Sequence, residues 1–145
     1  MIKIFKLISI FFIVLSLNNS ALAENTFFKE GKIKFNEKKY EESKFLFQRN
    51  IVFNPKDQQS YLYLAKIYKL EENKKEEQKN INTVLLLDPK NEEANYLLME
   101  IELKKSNYSK VKKLSESFSE ICKKLCNKKD EILESLKNLE PKNDS

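Results

Sequence analysis

The chain has 145 residues, a formal charge of +5, 34% charged and 41% apolar residues, a balance typical of solvated amphipathic helices. It contains no histidine and a single glycine, Gly31. That leaves no histidine for a general base or metal ligand and no glycine-rich loop for phosphate, so enzymes of the usual kinds are disfavoured. Tryptophan is absent and the only prolines are Pro55, Pro89 and Pro141, too few turn residues for an all-β chain.

Residues 1–23 read as a leader. Lys3 and Lys6 give a basic start, an apolar run from Leu7 to Leu17 follows, and Ala21-Leu22-Ala23 places small residues two apart. This is the three-part pattern of a secretory signal, and the apolar run is far short of the roughly 20 residues needed to span a bilayer. The expectation is a signal peptide cleaved before Glu24, with no stable membrane anchor, and a periplasmic or secreted protein. Glu24 stands where a lipoprotein would need cysteine. Without the leader the formal charge falls to +3 over 122 residues, enough for one domain with a modest core. Arg49 is the only arginine, and phosphate and base readers lean on arginine, so no nucleic-acid partner is expected.

Beyond the leader, the sequence repeats at an interval of 34 residues. Asn54-Pro55 and Asp88-Pro89 are one period apart, as are Ile33, Ile67 and Ile101. Phe53, Leu87 and Ile121 form another series, and Thr26, Ser60 and Ala94 a series of small residues. Within a period the apolar residues fall in two helical blocks. Tyr61, Leu64, Ala65 and Tyr68 lie on one stripe; Ile81, Val84, Leu85 and Leu87 form a second block that stops at Asp88-Pro89, where proline cannot continue a helix. Each period therefore predicts helix, short turn, helix and a proline-marked turn.

These residues resemble the tetratricopeptide repeat (TPR). The first period matches its pattern with Phe27, Gly31, Tyr40, Ser43, Phe47 and Asn54-Pro55, the second with Tyr61, Leu64, Ala65, Tyr68 and Asp88-Pro89. The second departs at Lys74 and Glu77, where a tyrosine and a small residue belong. The third keeps Leu98, Ile101 and Tyr108 but has Met99 in a small-residue slot and Lys123 in place of proline. The resemblance implies an all-α, right-handed α-solenoid of about three helix-turn-helix repeats, over 24–57, 58–91 and a degenerate 92–125. It also implies that Gly31 marks a close crossing of two helices.

Cys122 and Cys126 are the only cysteines. An exported pair is read first as a disulfide. Four residues apart in one continuous helix would be poor geometry for a bridge, but in the repeat register Cys122 falls at the turn that lacks its proline. A redox role fits less well, because the spacing is not C-x-x-C, and two thiolates with no histidine cannot complete a tetrahedral metal site. No metal and no cofactor are expected. Ile132, Leu133, Leu136 and Leu139 then predict a capping helix over 126–140, followed by a disordered tail at 141–145.

The resemblance further implies a concave groove lined by the first helix of each repeat. Its slots here are Phe28, Lys32 and Phe35, then Leu62, Lys66 and Lys69, then Tyr96, Glu100 and Leu103. Each trio is spaced four and three residues, so one helical face carries it. The implied function is a non-catalytic interaction module whose partner is another protein, held as a peptide or a helix with its carboxylates on the lysines. The alternative is a structural subunit of an envelope complex that self-associates or docks permanently. Oligomeric state is left open.

Overall fold

The computed structural model describes residues 26–139; the leader, the cut before Glu24 and the tail at 141–145 lie outside them. Within the described residues there are seven helices and no strand. These are α1 (26–36), α2 (Tyr40–Phe53), α3 (Gln58–Leu70), α4 (Lys74–Leu87), α5 (Glu92–Lys104), α6 (Tyr108–Ile121) and α7 (Cys126–Leu139). None of them is long and apolar enough to cross a membrane. The expected all-α fold of helix-turn-helix repeats is what forms.

The period is written into the backbone as well as the sequence. Lys38, Glu72 and Ser106, one period apart, end α1, α3 and α5 in the left-handed conformation, with φ of 61°, 56° and 57°. Their N–H groups donate to the carbonyls of Phe35, Lys69 and Leu103 at 3.0, 3.2 and 2.9 Å. The next amides, of Lys39, Asn73 and Asn107, donate to Lys34, Tyr68 and Glu102, each at 2.9 Å. This paired pattern is the Schellman closure, which satisfies carbonyls a helix end would leave open. It turns the chain sharply enough that the second helix starts at once.

The chain divides into two compact units, one up to Ile67 and one from Tyr68 on. In the first, α1 and α2 cross at Gly31. A Cβ there would stand 2.9 Å from Phe47 Cε1, so any larger residue would force the fully buried ring to shift. Ser43 Oγ ties the crossing by donating to the Gly31 carbonyl at 2.9 Å. The expectation that the lone glycine marks a close helix crossing thus holds.

The core of the second unit is Met99, Leu103, Val111, Phe118, Ile132 and Leu136, so α7 packs its apolar face onto α5 and α6. Tyr108 fastens its end by donating from its hydroxyl to the Leu139 carbonyl at 3.0 Å. One buried charge is matched in this unit: Glu102 is 2% exposed and accepts from Lys110 Nζ and Asn107 Nδ2, both at 2.9 Å. Burial pushes the Glu102 carboxyl up, but those two donors outweigh it and hold it below the usual carboxylate range.

Candidate functional site

Helical spacing puts Phe28, Lys32 and Phe35 on one face of α1, and the first unit completes that face with Tyr63 and Lys66 of α3. The Tyr63 ring lies edge-on to Phe28 and Phe35, with centroids 6.1 and 5.1 Å away, and stacks on Phe47 at 4.8 Å. Lys32 Nζ stands 5.8 Å from the Phe28 centroid and Lys66 Nζ 5.0 Å from that of Tyr63. Ammonium groups are attracted to ring faces over such distances. The result is a half-buried aromatic floor edged by two lysines. Its rigidity comes from below, because Phe47 is wedged under it by the absent side chain at Gly31.

Leu62 does not line this face. It is 3% exposed and belongs to the core, and its neighbour Tyr63 takes the open position. Spacing of four and three residues defines a face but not its phase, and the phase of α3 is fixed by burying Leu64, Ala65 and Ile67. The signal for Tyr63 was its place among three nearby aromatics, which no local period reveals.

In the second unit the expected slots close on one another. Lys69 Nζ pairs with Glu100 at 2.5 Å. The Tyr96 hydroxyl hydrogen-bonds to Glu100, and its pKa is pushed up to about 12 by burial first, then by Glu100 and Glu131. Leu103 is 9% exposed and sits in the core cluster. Of the nine slots, Leu62 and Leu103 therefore offer almost no surface, because each is consumed in packing.

The sulfurs of Cys122 and Cys126 lie at bonding distance, with Cα atoms 5.2 Å apart. α6 ends at Ile121 and α7 begins at Cys126, so the pair spans a turn and not one continuous helix. A residue with no sequence signal completes this turn. Glu92, in the first turn of α5, aims one oxygen at the backbone between the cysteines. Its Oε1 accepts from the amides of Lys123, Lys124 and Leu125 at 2.7, 2.8 and 2.6 Å. Burial pushes the Glu92 carboxyl up, but the three amides and Lys124 outweigh it and hold it below the usual range. Glu92, Cys122 and Cys126 do bring three possible metal-ligand atoms within 4.8 Å of one another. The two sulfurs are spent on each other and the carboxylate oxygen on three amides, so the donors are not available to a cation.

No family model matches the chain, and no curated protein is significantly similar to it. Its likeness is to solved structures. The Sgt2 TPR domain of Aspergillus fumigatus is 17% identical with a TM-score of 0.65, over 84% of this chain and 87% of that one. The TPR2B domain of yeast Sti1, solved with an Hsp70 peptide, is 14% identical with a TM-score of 0.72, over 82% and 99%. The second TPR domain of human RPAP3, in complex with the HSP70 peptide SGPTIEEVD, is 18% identical with a TM-score of 0.68, over 81% and 98%. The fold of this chain is that of tetratricopeptide-repeat domains.

Proposed function

We propose that this chain is an exported, non-catalytic protein-interaction module that receives a segment of another protein on the face formed by Phe28, Lys32, Phe35, Tyr63 and Lys66. The observation that carries the reading is the aromatic floor with Lys32 and Lys66 set over its rings. A preformed apolar surface edged by cations suits a segment that alternates apolar side chains with carboxylates. Burying the rings supplies affinity, and the lysines set direction and speed of encounter. Domains of the same fold in yeast Sti1 and human RPAP3 were solved with Hsp70 peptides, which supports a peptide-binding role for the fold. Export supports the cysteine pairing, since disulfides persist in oxidising compartments. The test is capture of crosslinked partners by the tagged full chain in its native host, beside a copy carrying Lys32→Glu and Lys66→Glu. A partner held by the first and lost by the second is the expected result. Equal capture by both would remove this face from the role.

A second reading, a subunit docked in a larger envelope assembly, is favoured by one feature. Val52 and Leu86, one period apart near the ends of α2 and α4, are 77% and 83% exposed, and Phe53 and Leu87 beside them are also open. Sedimentation of the full chain at micromolar concentration separates the readings: a monomer favours the module, stable self-association the subunit.

A further inference from the structure

The unit from Tyr68 on holds a cavity of about 580 Å3 between the end of α3, the start of α4 and the end of α5. That is within the range of small-molecule sites. Its charged wall is unbalanced. Lys69, Lys74, Lys104 and Lys105 line it against only Glu72 and Glu77. Two of the lysines are engaged, Lys69 by Glu100 and Lys105 by Gln78, each at 2.5 Å. Among the described residues no hydrogen bond or ion pair engages the ammonium groups of Lys74 and Lys104. Leu70 and Ile101 supply apolar wall, extended by the aliphatic stems of the lysines.

Glu77 is the odd member. It occupies the register position held by Ser43 one period earlier and Val111 one period later, both fully buried, and it is itself only 6% exposed. A carboxyl has been placed where the repeat pattern calls for a small or apolar group. Burial pushes it up; Lys104, Lys69 and Lys74 pull it back, and Glu100 adds to the rise. The net direction is up, because burial disfavours the charged form of the carboxyl.

The wall contains no arginine, and the Asn73 side chain already caps the start of α4 by accepting from the Glu76 amide. The wall therefore offers no bidentate guanidinium fork, and one amide of the helix start is already taken. Two ammonium groups without a hydrogen-bond or ion-pair partner among the described residues, set against an apolar wall, complement a different shape of ligand. We propose that this cavity binds a small amphiphilic monocarboxylate, its head between Lys74 and Lys104 and its apolar body along Leu70 and Ile101. The site is separate from the face proposed for protein partners and does not depend on it.

The test is titration of the purified full chain with octanoate, kept below its aggregation concentration, followed by calorimetry and amide NMR. Octanol (the body without the charge) and inorganic phosphate (the charge without the body) serve as parallel probes. The expected result is one saturable octanoate site, amide shifts gathered at 69–77 and 101–105, and at least tenfold weaker binding of both control probes. Lys74→Ala and Lys104→Ala, both exposed side chains, should each weaken octanoate about tenfold or more. Lys90→Ala, outside the cavity, should change nothing. Octanol or phosphate binding as tightly as octanoate, shifts scattered over the chain, or unaltered affinity in both lysine variants would overturn the proposal. The amide shifts need no variant, so the idea stays testable even if a substitution unfolds the chain.

Discussion

The first and last helix pairs solve the same two problems with opposite residues. At the crossing of α1 and α2 the small partner is Gly31 on the first helix and the large one is Phe47 on the second. One and two periods on, the same positions carry Ala65 and Ile81, then Met99 and Ser115, all of them buried. Bulk has moved from the second helix of the pair to the first while both positions stay inside. The turn that follows each pair differs in the same spirit. After α2, the Asp57 amide donates to the Asn54 carbonyl at 3.1 Å and Tyr61 Oη to the Pro55 carbonyl at 3.1 Å. After α6 there is neither proline nor capping aspartate. The equivalent amide, of Leu125, goes to Glu92 instead, and the cysteine pair spans the turn. A repeat constrains the volume at a crossing and the satisfaction of a turn's amides, and leaves open which residue meets each demand.

The largest expected effect comes from breaking the first crossing. Phe47 is fully buried and stacked under Tyr63, so Phe47→Ala should cost about 3–5 kcal/mol in urea unfolding of the full chain. Gly31→Ala sharpens the point, because two effects oppose. Alanine favours a helix over glycine by about 1 kcal/mol, whereas overpacking against a rigid ring costs about 1–3 kcal/mol. With the new methyl 2.9 Å from Cε1 of a ring that has no room to swing, overpacking wins, and net destabilisation is expected. Combined with Phe47→Leu, the same alanine should lose most of its cost, a coupling of at least about 0.5 kcal/mol. Additive costs would show that the two positions do not share one space.

The last turn should break more gently. Glu92→Gln keeps the shape but removes the charge that three amides converge on. We expect a loss of about 1 kcal/mol, kept small because the carboxylate is partly exposed, and faster hydrogen exchange at Lys123, Lys124 and Leu125. The pH dependence has a definite sign. The folded carboxyl is held below its ordinary 4.5, so its contribution is present above about that pH and fades as pH falls through the lowered folded value. The variant should lack this acid-side loss. Equal exchange in parent and variant would leave the cysteine pair alone to hold the turn.

Much of the fold was legible because the period recurs in several residue series at once, and a proline or a buried isoleucine declares itself locally. What stayed hidden has a common cause. Met99 reads as a violation of the pattern until Ser115, sixteen positions on, is seen to be the small residue at the same crossing. Glu92 reads as one more surface glutamate, and its three amides lie 31 to 33 residues away. In the candidate site, the family resemblance offers Phe28, Lys32, Phe35 and Lys66, but it offers Leu62 where the structure opens Tyr63, because a pattern of spacing does not set the phase of a helix. Compensation across long sequence separations leaves no periodic trace.

The smallest effect tests what the two regions share. Lys38, Glu72 and Ser106 sit in the left-handed region with their amides donating to carbonyls in the same register, yet none is glycine. For an ordinary residue that conformation costs about 1–2 kcal/mol, and glycine gives part of the relief back as entropy in the unfolded chain. All three side chains are exposed, so little packing is lost on removing them. Lys38→Gly, Glu72→Gly and Ser106→Gly should therefore each stabilise the full chain by about 0.5–1 kcal/mol, and by similar amounts. The similarity carries the argument. If side chains diverge between the first and last pairs while the backbone closure is conserved, a substitution that acts through backbone alone must be blind to which pair it enters. A gain at Lys38 with a loss at Ser106, read from urea midpoints at constant slope, would mean that the last pair has changed its closure as well as its residues.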